Sequence, residues 1–232
     1  MRERRESEAS ALVVAHVRGL LDGGQLKGGD RLPAERELAR TLGVSRPSLR
    51  AGLRSLAEMG VVVIRPGAGS YIAGGPPVFG TDALRFQAAL HGFTRDQMFQ
   101  ARLVLEVSVA GLAATHAAPE DMIAVSEEAT GMFASLDDPQ AFLAHDIAFH
   151  RAIAAASGNP ILSALVNMVA EQFREQRQDS INRAHDLKQA ADEHRAIYVA
   201  LRARDADRAS RAMREHLERA YRTQAEEEGA DS

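Results

Sequence analysis

Apolar residues recur at steps of three and four along most of the chain, and the main interruption is a short stretch near position 65. Val13, Val17, Leu20 and Leu21 form one such stripe over residues 11–21, a predicted helix that Gly23-Gly24 stops. A second predicted helix, residues 34–41, follows Pro33 and sets Leu38 and Ala39 inward before Gly43 ends it. Leu42-Gly43-Val44 is then a turn, Ser45 an N-cap, and Leu49, Leu53 and Leu56 the buried stripe of a third helix that Gly60 closes. Residues 61–64 and 70–72 lose the helical period. They read as two strands joined by the tight connection Arg65-Pro66-Gly67-Ala68-Gly69.

Two helices separated by a three-residue turn and followed by a glycine-tipped hairpin predict a winged helix-turn-helix, whose second helix enters the DNA major groove by its first turns. Opposite the leucine stripe those turns carry Ser45, Arg46, Ser48 and Arg50. An arginine fork fits guanine O6 and N7, worth about 1–3 kcal/mol of discrimination per bidentate pair. Gly67 and Gly69 let the hairpin backbone lie close to a phosphate.

From residue 81 onward the pattern is helical throughout, in segments 82–90, 95–116, 120–135, 139–157, 160–183, 185–204 and 206–227. Pro119, Pro139 and Pro160 sit at helix starts, and Asn159 and Asp205 are N-caps. The fold class is therefore mainly α. A winged helix-turn-helix (1–75) precedes a linker (76–80) and an all-α antiparallel bundle of six or seven helices (81–232).

Composition narrows the partners. With 232 residues, 45% hydrophobic and 26% charged, the chain can build two cores of ordinary soluble character. No apolar run approaches the roughly 20 residues that span a bilayer, and MRERRESEAS lacks the apolar core of a signal peptide. The expectation is a cytoplasmic protein without a membrane partner. Cysteine is absent, so disulfides and thiolate metal ligands are excluded. Residues 1–75 hold 12 Lys and Arg against 8 Asp and Glu, while the rest holds 16 against 24, so the positive half is the one predicted to meet DNA.

One constellation in the bundle asks for chemistry. Asp146 and His150 lie four residues apart on a helix face shared with Phe142 and Ile153, so both point inward. His194 falls on the stripe of Leu187, Ala191, Ile197 and Leu201, and His216 on that of Ala209, Ala212, Met213 and Ala220. Each histidine alone reads as a hydrogen-bonded core residue. Together with the carboxylate, a divalent cation is the simplest object that satisfies all four, zinc first among zinc, nickel, iron and manganese. His91, His116, His145 and His185 do not share these stripes and read as surface or packing residues.

The segment LPAERELARTLGVSRPSLRAGLRSLAEMG followed by RPGAGSYI resembles the winged helix-turn-helix of the GntR family of bacterial transcription regulators. That resemblance implies that Arg36, Arg46 and Arg50 approach bases or phosphates and that the Gly67–Gly69 tip lies toward the minor groove. The chain departs from the family in two places. Arg50-Ala51-Gly52-Leu53 stands where Arg-Glu-Ala-Leu is usual, Gly52 costing about 1 kcal/mol against alanine in a helix, and Ala68 replaces a basic wing residue common in relatives. Wing contacts are expected to be weaker.

The second half is similar to the FCD domain of the FadR subfamily. The resemblance implies a metal held by the D-x-x-x-H pair and two later histidines, matched by Asp146, His150, His194 and His216, and an effector-binding arginine matched by Arg102 in Gln100-Ala101-Arg102-Leu103-Val104-Leu105-Glu106. The other reading of Arg102 is a surface pair with Glu106, worth about 0.2–0.5 kcal/mol. The combined expectation is a homodimeric repressor of a palindromic operator whose metal pocket senses a small organic acid. An octahedral ion with four protein donors keeps two positions for such an acid. The alternatives are a regulator for which the metal is itself the signal and a metal-dependent enzyme joined to a DNA-binding module.

Overall fold

The structure, a computed structural model, describes the backbone of residues 2–173 and 187–230 and the side chains of residues 8–172 and 187–222. Two compact units divide the chain, residues 1–80 and 81–232.

In the first unit, α1 (Arg2–Asp22), α2 (Glu35–Leu42) and α3 (Arg46–Glu58) precede a hairpin of β1 (Val62–Arg65) and β2 (Gly69–Ile72). α1 begins before the predicted position 11, because Arg and Glu favour helix without supplying an apolar stripe. Ser45 caps α3 as expected, its Oγ accepting from Ser48 N–H at 3.2 Å, and Gly43 ends α2 at φ +66°. The strands pair antiparallel with Val62 opposite Ile72 and Arg65 opposite Gly69. The core gathers Val13, Val17, Leu38, Leu49, Leu53, Leu56, Val62 and Ile72.

Gly52 has a structural reason. A methyl group added there would come within 2.6 Å of Val13 Cβ and 2.9 Å of Ser10 O, so α1 and α3 pack closer than any side chain at 52 would allow. The helical penalty of glycine is offset by that contact.

The second unit contains α4 (Thr81–His91), α5 (Arg95–His116), α6 (Pro119–Ala134), α7 (Pro139–Ala156), α8 (Pro160–Ala170) with a short 3-10 turn at Glu171–Phe173, α9 (Leu187–Arg202) and α10 (Ala206–Ala230). The three prolines open α6, α7 and α8, and the Asn159 and Asp205 carboxamide and carboxylate cap α8 and α10. α8 closes at Ala170; the remainder of the predicted 160–183 segment, after Phe173, lies outside the described residues, as does His185. The core is one cluster built around Phe142, Phe149, Met132, Ile153, Ile197, Leu201, Met213 and Leu217. α5 is long and apolar enough to cross a bilayer by composition. Here it packs along α10, where Gly111 leaves room for Ser210, whose hydroxyl donates to Val107 O at 3.2 Å.

Candidate functional site

The bundle brings its four predicted ligands together. Asp146 and His150 on α7, His194 on α9 and His216 on α10 are all buried, and one donor atom from each lies within 4.8 Å of the others. Three helices hold them because each residue occupies the apolar stripe of its own helix. Ring centroids of His194 and His216 are 4.2 Å apart, and those of His150 and His216 5.3 Å.

Each imidazole has its Nδ1 close to an oxygen, and in His194 and His216 the contact is a hydrogen bond. His194 Nδ1–H donates to Ala190 O at 2.7 Å, and His216 Nδ1–H donates to Glu193 Oε2 at 3.1 Å. His150 Nδ1 meets Glu106 Oε2 at 2.5 Å. Because carbonyl and carboxylate oxygens accept, the proton of His194 and His216 belongs on Nδ1, which leaves Nε2 as the nitrogen with a free lone pair. That is the tautomer a metal-ligating histidine needs, supported from behind by an oxygen.

The inward atoms fit a cation. His194 Nε2 is buried without a hydrogen bond although Asp146 Oδ1 lies 3.0 Å away, and His150 Nε2 is 3.8 Å from the same oxygen. A lone pair facing a carboxylate oxygen in a buried site is costly, and a divalent ion turns the repulsion into two bonds. Burial, reinforced by His194 and His150, holds the His216 imidazole well below its usual pKa, which keeps it neutral and able to ligate at pH 7. Burial also pushes the Glu193 carboxyl up, against the pull of Arg219 and His194.

Glu106 and Glu193 were not identified as site residues from the sequence. Glu106 is buried between Arg102, whose Nε donates to its Oε1 at 2.6 Å, and His150. The surface reading of the Arg102–Glu106 pair is therefore corrected: both side chains are inside, and the pair backs His150 of the Asp/His cluster. Glu193 is held by Arg219 and supports His216. His91 and His116 are exposed, and His145 pairs with Glu128 at 2.8 Å while packing over Gly131.

In the first unit Arg36, Ser45 and Arg46 are exposed, as are Gly67 (φ +73°) and Gly69 (φ +108°) at the wing. Ser48 is corrected: it is buried, 5% exposed, with its hydroxyl 2.8 Å from Ser45 Oγ, so it shapes the start of α3 instead of facing a groove. Ser48 shares its side of the helix with Gly52, the side that packs toward α1. Arg50 is exposed but its Nε donates to Glu35 at 2.8 Å. An exposed pair of this kind contributes about 0–1 kcal/mol, so a phosphate can displace Glu35. The wing also carries charge that the sequence reading passed over. Arg65 and Arg31 lie 4.6 and 5.9 Å from the Tyr71 ring centroid, Arg65 being the diagonal neighbour of Tyr71 across the hairpin.

Residues 9–72 match the bacterial regulatory proteins of the gntR family, and residues 97–219 match the FCD domain. The chain belongs to the GntR family. Among its relatives is an Escherichia coli (strain K12) protein named as an L-lactate dehydrogenase operon regulatory protein, 34% identical over 88% of this chain and 82% of that protein. The HTH-type transcriptional repressor NanR of Klebsiella aerogenes is 31% identical over 90% of this chain and 82% of its own length. The structure of Streptococcus agalactiae GntR superposes with a TM-score of 0.69 at 25% identity, covering 92% of this chain and 99% of that one. This GntR-family chain is accordingly a DNA-binding transcriptional regulator with a ligand-sensing FCD domain, and not an enzyme.

Proposed function

We propose that this regulator is a cytoplasmic homodimer that represses a palindromic operator and releases it when a small carboxylate or 2-hydroxy acid enters the metal pocket of its FCD domain. Asp146, His150, His194 and His216 hold the ion, with zinc the first choice for a set of three imidazoles and one carboxylate. When bound, the ion supplies a fixed positive charge to which a carboxylate can coordinate. Arg102 adds the positive charge of its guanidinium beside the site, held in place by Glu106. In the other unit Arg36, Arg46 and Arg50, with Gly67 and Gly69 at the wing, meet the operator.

The observation that carries the sensing half is the buried cluster of Asp146, His150, His194 and His216, one donor atom of each within 4.8 Å of the others, with an oxygen close to every Nδ1. The repressor sense is supported by the name of the NanR relative, and the acid class by that of the lactate-operon relative. An effector shifts operator affinity only by its differential affinity for two states of the dimer, typically about 1–3 kcal/mol.

A thermal-shift screen of the zinc-loaded chain against small carboxylic and 2-hydroxy acids tests this reading. A matching acid at 100 times its dissociation constant should stabilise the protein by about 2.7 kcal/mol, and chelation should remove that shift. If no acid binds while chelation and reloading alone switch operator binding, the metal is itself the signal and the proposal fails.

A further inference from the structure

Glu193 ties together the two helices that carry the last two predicted ligands. It precedes His194 on α9, and adjacent residues of a helix point about 100° apart, so while His194 faces the Asp/His cluster Glu193 faces α10. There it meets His216 and Arg219, three positions apart on one face of α10. Its Oε2 accepts from His216 Nδ1–H at 3.1 Å, and its Oε1 pairs with Arg219 Nη1. The two oxygens of one carboxylate thus have separate tasks.

The same order of groups recurs on the other side of the cluster. Arg102 Nε–H donates to Glu106 Oε1 at 2.6 Å, and Glu106 Oε2 lies 2.5 Å from His150 Nδ1. Two of the three histidines therefore have behind them a glutamate whose other oxygen is held by an arginine. The two arrangements differ in burial. Arg102 and Glu106 are inside, whereas the Arg219 side chain is 44% exposed and that of Glu193 15%. An ordinary surface pair on the same helix, Arg214–Glu218, has both partners exposed and contributes about 0–1 kcal/mol. The Arg219–Glu193 pair is of another kind, because its carboxylate is mostly covered and the second oxygen is committed to His216.

We propose that Glu193 and Arg219 are positioning residues of the metal site, Arg219 pinning Glu193 and Glu193 fixing the ring angle and the Nδ1–H tautomer of His216. The proposal rests on the metal reading above and makes zinc affinity depend on a half-exposed guanidinium that is not one of the four donors. Released from Arg219, the glutamate turns toward water. His216, buried in the bundle, then loses the acceptor that keeps its proton off Nε2, the nitrogen that has to ligate. An amide at 193 fails for a related reason: it has one oxygen where the carboxylate has two, and cannot accept from both His216 and Arg219.

The test is zinc affinity of the full-length chain, read by competition with a chromophoric chelator, together with the His216 tautomer of the zinc-free chain, read by long-range proton–nitrogen NMR. Glu193→Gln should bind zinc about 10–100-fold more weakly and Arg219→Ala about 10-fold more weakly, while Arg219→Lys recovers most of the loss. The double variant Arg219→Ala/Glu193→Gln should be no weaker than Glu193→Gln alone, because Arg219 acts only through Glu193. In the wild type His216 carries its proton on Nδ1, and in Glu193→Gln a share of it moves to Nε2. Melting of the zinc-free variants confirms that each is folded. Wild-type affinity in either single variant, losses that add in the double variant, or an unchanged His216 tautomer in Glu193→Gln would each overturn the assignment while sparing the metal site. A wild type that binds no zinc overturns the metal reading itself.

Discussion

Replacing His194 with alanine is expected to abolish stoichiometric zinc binding and the response to any acid effector, while operator binding without effector survives. His194 contributes the lone pair nearest to Asp146, at 3.0 Å, and its Nδ1–H is committed to Ala190 O. Loss of a supporting partner alone typically lowers metal affinity about 10–100-fold, and loss of a ligand must exceed that. The ring also packs edge-on against Phe149 at a centroid distance of 5.1 Å, so alanine leaves a cavity as well. His194→Gln keeps most of the volume and separates the two effects: it should restore the melting temperature of the zinc-free protein without restoring zinc. Isothermal titration with zinc decides the matter, and wild-type affinity in either variant would remove His194 from the ligand set.

Arg46→Ala should do the reverse. Arg46 is the first residue of α3 and is exposed, directly after the Ser45 cap that fixes the entry angle of the helix. If it reads a guanine, its loss costs about 1–3 kcal/mol, or roughly a 5- to 150-fold weaker operator complex, with zinc content unchanged. Fluorescence anisotropy against operator and scrambled duplexes reads both parts. An equal loss on both duplexes would make Arg46 a phosphate contact, and no loss on either would remove it from the interface. Ser48→Ala is the useful contrast, because a buried hydroxyl bonded to Ser45 has no base to release.

How much was legible in the sequence depends on what periodicity can report. A ligand on an apolar stripe announces itself, so Asp146, His150, His194 and His216 could be placed inward from spacing alone. Glu106 could not. An arginine and a glutamate four residues apart look the same on a surface helix and in a core, and α5 is apolar on several sides, so its stripe gives no direction. Glu193 adjoins a ligand but is recruited by His216 and Arg219 from another helix, which no local pattern encodes. Ser48 was misplaced for a related reason. α3 packs against both α1 and α2, so it buries a wider arc than its leucines mark, and the small residues Ser48 and Gly52 fill the added part. The glycine that looked like a weakness in a helix is the residue that lets α1 approach. The wing shows the opposite case, where Ala68 suggested a loss of charge that Arg31 and Arg65 supply from beside Tyr71.

The central claim is that four side chains from α7, α9 and α10 converge on one cation. X-ray absorption at the zinc edge of the loaded full-length protein tests it most directly. The account predicts one zinc per chain, nitrogen and oxygen donors at about 2.0–2.2 Å, and the multiple-scattering signature of three imidazoles. A hydrated ion with one imidazole or none, or zinc well below one per chain, would contradict it.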